Sequence, residues 1–261
     1  MKVKNVVKYL EELFPLHLAS DFDYTKIGLQ IGNSDLELTG ILLSLDLTED
    51  VVLEAINKNA NLIVTHHPFI FNPLQKITFT SSVGKILNLL FKYQISVYVM
   101  HTNLDVGLNG VNDSLARRLG FIDYQPKEED VIPDNFIRYG LIQEQCLISY
   151  ANFVKKTLNL SGVRVVGNFD KIIRKVAVIG GSGGKISEID RAIALGCDLL
   201  VTGEVSHHSA HYAITNDFSL IEVSHGVEKF VFDDLIVQLQ KKFLEIPIYL
   251  TNVNTDPFIV I

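Results

Sequence analysis

Apolar and polar positions along this chain switch repeatedly between two rhythms. Short, nearly continuous apolar runs alternate with stretches whose apolar residues recur at helical spacing. The run GILLSLDL (Gly40 to Leu47) predicts a buried strand, and TEDVVLEAINKNA (Thr48 to Ala60) a helix with Thr48 as N-cap and two acids in its first turn. NLIVT is the next strand, SSVGKILNLLFKYQ a helix, and ISVYVM (Ile95 to Met100) a strand. GVNDSLARRLG reads as a helix closed by Gly120. The opening MKVKNVVKYLEELF is an amphipathic helix between charges, unlike a secretory signal. Buried strands joined by crossover helices imply an α/β fold with mostly parallel, mixed sheets.

DYQPKEEDVIPDNF carries a charge run and two prolines and is the linker candidate. Beyond it, IRYGLIQEQCLISYANFVKKTL and VRVVGNFDK predict strand, helix and strand. The strand–helix–strand rhythm then resumes from Lys175. The halves echo each other: EAINKNANLIVTHH (Glu54 to His67) aligns without a gap on RAIALGCDLLVTGE (Arg191 to Glu204). Two related α/β lobes are therefore expected. Residues 1–125 with 220–261 form one and 126–219 the other.

Composition narrows the class of protein. At 261 residues and 48% hydrophobic content, the chain can bury substantial cores. A net charge of −7 argues against a generic nucleic-acid surface, although a local basic patch stays compatible with it. The two cysteines, Cys146 and Cys197, have no metal or redox spacing and suit a reducing cytoplasm. No apolar run is long enough to cross a bilayer, so neither a membrane partner nor a membrane location is expected.

Chemistry collects after three predicted strands. His66 and His67 follow NLIVT; His101, Asn103 and Asp105 follow ISVYVM; His225 and Glu228 follow SLIEV. Carboxyl ends of parallel strands are where open α/β sheets build ligand sites. Imidazole with carboxylate suits zinc, iron, manganese, cobalt or nickel. Adjacent histidines in a strand point to opposite faces, which is awkward for one ion. At a strand end, where the backbone turns, they can reach two ions that Asp105 and Glu228 could bridge. His101 is either a ligand, a hydrogen-bond partner of one, or a substrate contact, and imidazole chemistry makes it the candidate proton shuttle. Asp46 and Asn103 are expected in structural roles.

The segments IGLQIGN, LDLTEDVVLEAI, LIVTHHPFIF, HTNLDVGLNGVNDSLARRLG, VAVIGGSGG, LLVTGEVSHHSAHYA, SHGVEK and DPF occur in an order that resembles the Nif-three-like family, whose members are labelled GTP cyclohydrolase I type 2 homologues. The resemblance spans nearly the whole chain. It implies two divalent metal ions per chain, in the cleft between two α/β lobes, held by His66, His67, Asp105, His225 and Glu228, and a toroidal homohexamer built as a trimer of dimers. It implies a metal-dependent hydrolase acting on a nucleotide such as GTP, opened at its imidazole ring. The domain inserted in some relatives has no counterpart between Gly120 and Val176.

Other readings compete. A non-catalytic metal-binding regulator or metal-handling protein would share the ligands, and a toroidal nucleic-acid clamp would need a basic inner ring. VAVIGGSGGKIS fails both the dinucleotide and the P-loop patterns and is read as a tight turn without a ligand, with contact to a substrate phosphate as the alternative. EVSHHSAH (Glu204 to His211) places His207 and His211 on one helix face. It could be a second metal site, although Glu204 is the one strand-end acid beside it; otherwise it lines the cleft opposite the metals, contacting substrate, or forms a solvated helix start, so the roles of Glu204, His207, His208 and His211 stay open.

Overall fold

The computed structural model describes residues 1–260. In chain order the elements are α1 (Val3–Leu13), β1 (Gly28–Ile31), β2 (Ile41–Ser44), α2 (Glu49–Asn57), β3 (Leu62–Thr65), α3 (Ser82–Lys92), β4 (Ser96–Val99), α4 (Thr102–Val106) and α5 (Val111–Arg118). They continue with β5 (Arg138–Cys146), α6 (Leu147–Thr157), β6 (Arg164–Val166), β7 (Ile172–Ile179), α7 (Ile186–Ala194), β8 (Leu199–Thr202), α8 (His207–Thr215), β9 (Ser219–Glu222), α9 (Val231–Lys242) and β10 (Ile248–Leu250). The fold is mixed α/β with two five-stranded sheets, ordered β1-β4-β3-β2-β10 and β5-β7-β8-β9-β6.

The chain divides into two compact units, one of residues 1–108, 131–134 and 231–255, the other of 109–130, 135–230 and 256–261. This differs from the division drawn from the sequence. β9 pairs in parallel with β8, so the segment after residue 219 continues the second sheet, and only 231–255 returns to the first unit. The turn and helix at 109–125 likewise belong with the second sheet. There α5 lies beside β5, and Arg138 donates from Nε to Asp113 Oδ1 at 2.7 Å with both side chains buried. The expected linker is anchored as well. Ser20 donates to Asp134 at 2.5 Å, and Asn135 donates to the Asp130 carbonyl at 2.9 Å.

The first sheet forms because its central strands leave no polar face. Every residue of β2, β3 and β4 is buried, and Leu62, Ile63 and Val64 are wholly inaccessible. Each such side chain contributes about 1.5–3 kcal/mol on leaving water. Helix α2 starts where expected, the Thr48 side chain accepting from the Val51 amide. α2 and α3 cover one face through Val51, Val52, Ala55, Leu87 and Leu90. β2, β3 and β4 are parallel and in register, so Ser44, Thr65 and Val99 end together.

The second sheet repeats this run. β7, β8 and β9 are parallel and in register, with Ile179, Thr202 and Glu222 level at their ends. The aligned Val-Thr pairs, Val64-Thr65 and Val201-Thr202, close the central strand of each sheet. One strand is not marked by the periodicity: β1, which runs antiparallel at an edge of the first sheet. β5, expected as a strand, runs antiparallel beside β7 and extends the second sheet.

Candidate metal-binding site

Because β2, β3 and β4 end level, the residues just beyond them emerge at one edge of the first sheet. They are Asp46, His66 with His67, and His101. The amides of His66 and His67 both donate to the Leu45 carbonyl, at 3.2 and 3.0 Å. That turn cancels the strand alternation that would send the two rings to opposite faces. Their centroids lie 4.9 Å apart, and His101 lies 5.1 Å from His66 and 5.7 Å from His67. One nitrogen of each of these three rings falls within 4.8 Å of the others, a grouping that could hold a metal ion.

The hydrogen bonds decide which nitrogen each ring presents. His66 Nδ1 donates to the Met100 carbonyl at 2.9 Å, His67 Nδ1 to Asp46 Oδ1 at 2.6 Å, and His101 Nδ1 to Asp23 Oδ1 at 2.9 Å. Carbonyl and carboxylate oxygens only accept, so each Nδ1 carries the hydrogen and each Nε2 of a neutral ring carries the lone pair. This is how metal-binding histidines are oriented. His66 is fully buried, and its Nε2 lies 3.5 Å from Asp105 Oδ1.

Asp105 reaches that position because α4 begins at once after β4. The Leu104 and Asp105 amides donate to the His101 carbonyl, and Asn103 caps the turn by accepting from the His101 amide at 3.0 Å. The Asn103 side chain also donates from Nδ2 to the Phe14 carbonyl at 2.9 Å, the structural role expected of it.

The supporting carboxylates are held ionised. Burial works to raise the Asp23 carboxyl, but the hydrogen bond and charge of His101 and two bonds from Thr102 outweigh it and leave it below the usual aspartate range. Burial likewise opposes Asp46, and His67 and Thr255 outweigh it in the same direction. Asp46 thus has a more specific role than a general structural one. Asp23 was missed from the sequence: it lies in the irregular segment SDFDYTK, far along the chain from His101, with no periodic signal to mark it.

The second unit has its own donor set, again beyond level strand ends. His225 Nδ1 donates to Glu204 Oε1 at 2.6 Å, and its Nε2 lies 3.2 Å from Glu228 Oε2. A 3₁₀ turn, His225–Phe230, carries both residues and brings them onto one side. Glu204, from the end of β8, is the counterpart of the acids that hold His67 and His101. Hydrogen bonds from Ser182 and then from His225 lower its pKa.

The glycine-rich turn after β7 packs against His225 and Glu228. Gly181 has φ +58°, and a Cβ on it would meet Glu228 Oε1 at 2.6 Å and His225 Nε2 at 3.2 Å. Glycine is required there for both backbone conformation and close approach. His207 and His211, on α8, are exposed.

Two donor sets with these properties fit divalent transition ions. Imidazole Nε2 and a carboxylate oxygen converge at 3.5 Å in one and 3.2 Å in the other. Atoms bonded to one cation at about 2.0–2.2 Å lie about that far apart. The structure therefore brings His66, His67, His101 and Asp105 together in the first unit, and His225 and Glu228 together in the second.

Sequence and structure comparisons agree on kinship. A curated relative from Clostridium acetobutylicum, named GTP cyclohydrolase 1 type 2 homolog, is 32% identical over 270 residues, covering 99% of this chain and 98% of its own. A Staphylococcus epidermidis relative of the same name is 28% identical over 369 aligned positions at 99% coverage of both, the surplus positions being sequence this chain lacks. Among solved structures, a Bacillus cereus protein related to NIF3 superposes with TM-score 0.89 at 28% identity, covering 100% of this chain and 99% of that one. Reduced HcgD from Methanocaldococcus jannaschii superposes with TM-score 0.80 at 27% identity, covering 97% and 98%. The model of the Duf34/NIF3 (NGG1p interacting factor 3) family matches residues 1–257, and the chain belongs to that family.

Proposed function

We propose that this protein is a divalent-metal-dependent hydrolase acting on a nucleotide-like substrate. One observation carries the reading: four histidines, His66, His67, His101 and His225, each have Nδ1 tied to a carbonyl or carboxylate. Three carboxylates, Asp46, Asp23 and Glu204, each orient one of these rings, an outer layer that a purely structural histidine does not need.

By its resemblance to the family, the ligand set is His66, His67 and Asp105 from the first unit with His225 and Glu228 from the second, for two divalent ions per chain. The donors suit zinc, iron, manganese, nickel or cobalt. Such ions, when bound, supply hydroxide at neutral pH and polarise the electrophile. The chain's own residues do the rest. Asp23 fixes the His101 ring so that a proton is taken up and released at Nε2. Asp46 and Glu204 keep His67 and His225 in the tautomer that presents Nε2.

The name of the curated relatives makes a purine nucleotide such as GTP the first substrate to try. The same kinship makes a homohexamer, a trimer of dimers, the proposed assembly, to be checked by light scattering. Cytoplasm is the proposed location, which two free cysteines suit; no helix among the described residues is long and apolar enough to cross a membrane.

The deciding experiment is a nucleotide and phosphoester turnover screen with added manganese, iron, zinc or nickel, comparing wild type with Asp105→Ala. Metal-dependent turnover lost in the variant supports the hydrolase. Metal binding with no turnover across the screen replaces it with a metal-handling role.

A further inference from the structure

The second unit carries two exposed imidazoles that the proposed ligand set does not use. α8 opens at His207, and His211 follows one turn later on the same face. Their Nε2 atoms lie 3.1 Å apart, with ring centroids at 4.6 Å and planes at 72°. Two nitrogens bonded to one ion at about 2.0–2.1 Å with an angle of about 100° are separated by about this distance.

The backbone beneath the pair is held firmly. Ser206 caps the helix by accepting from the Ser209 amide at 3.1 Å, and Thr215 Oγ1 donates to the His211 carbonyl at 3.0 Å. His208 lies farther off, its ring centroid 6.2 Å from that of His207. An N–H···N bond between the rings uses one lone pair, whereas a shared cation uses both. Two imidazoles without carboxylate or thiolate select copper, nickel, zinc or cobalt over magnesium or calcium.

We propose that His207 and His211 form a separate, solvent-facing two-imidazole site for a divalent transition ion, with water completing its coordination. The site shares no residue with the ligand set proposed above, so it stands if that set fails.

Copper titration of the full chain, followed by electron paramagnetic resonance and by metal content after desalting, tests the site. Wild type and Asp105→Ala should both show an exposed signal from two equatorial nitrogens. His207→Gln and His211→Gln should each lose it, with one fewer ion per chain and affinity there lowered roughly a hundredfold, because a chelate becomes a single ligand. His208→Gln should leave it unchanged. All three substitutions are at exposed positions, and circular dichroism checks that each variant is folded. Undiminished copper binding in His211→Gln, or its loss in His208→Gln, would overturn the proposal.

Discussion

The Nδ1–H of His101 donates to Oδ1 of Asp23 at 2.9 Å, and the Asp23 side chain is entirely buried. The other Asp23 oxygen accepts from the Thr102 amide at 3.1 Å and from its hydroxyl at 2.7 Å. One carboxylate therefore fixes both the ring and the first turn of α4, which also carries Asp105.

Replacing Asp23 by Ala leaves those three donors without their acceptor. The expected cost is about 1–3 kcal/mol for each buried donor left unsatisfied, read as a lower denaturant midpoint. Turnover should fall further than stability explains, since His101 loses its orientation. An Asp23→Ala protein as stable as wild type would refute the anchoring role.

Acid should weaken the same interaction. The folded-state carboxyl of Asp23 sits below its ordinary value, as does that of Asp46. Their contributions are fully present above the unfolded aspartate value of about 4 and disappear as pH falls through the lower folded value. Urea melts between about pH 5 and 2 should show a smaller acid loss in Asp23→Asn than in wild type.

Asp46→Ala removes the acceptor that holds His67. Metal affinity should drop roughly 10–100-fold while the fold persists, as is usual when a ligand's hydrogen-bond partner is lost. Competition with a chromophoric chelator measures this directly. Unchanged affinity would show that the Leu45 turn alone orients the ring.

Gly181→Ala places a methyl group 2.6 Å from Glu228 Oε1 on a backbone with φ +58°. Glu228 and His225 must then move apart from their present approach. Metal loading should fall sharply, with a loss of stability near 1 kcal/mol or more from the strained backbone. Gly196→Ala is the control: its φ is +72° but a Cβ there meets nothing within 4 Å, so stability falls and metal loading does not.

Asp113→Ala tests the second unit's interior apart from any metal. The buried Arg138 would lose the Asp113 carboxylate that accepts from its Nε, and Tyr124, which donates to the same Asp113 oxygen at 2.7 Å, would lose that acceptor as well. The expected loss is about 3–5 kcal/mol. A thermal melt within a degree or two of wild type would contradict this.

Much of this molecule was written in its linear pattern. The apolar runs at β2, β3, β4, β7, β8 and β9 and the amphipathic helices between them follow from the two periods of backbone geometry, which are local properties. The repeat Val64-Thr65 and Val201-Thr202 was visible because both central strands face the same packing demands on both sides. Histidine and carboxylate after strand ends were visible too, since that position is defined along the chain. Tertiary structure alone decided the rest. Asp23 and Glu204 find their histidines only when remote segments meet, and no period marks a residue whose role is to accept one hydrogen bond. The Leu45 carbonyl, gathering the amides of His66 and His67, put both rings on one side where strand alternation would have separated them. Likewise Gly181 became necessary only once Glu228 packed against it, because a close approach is a property of two segments and neither sequence contains it.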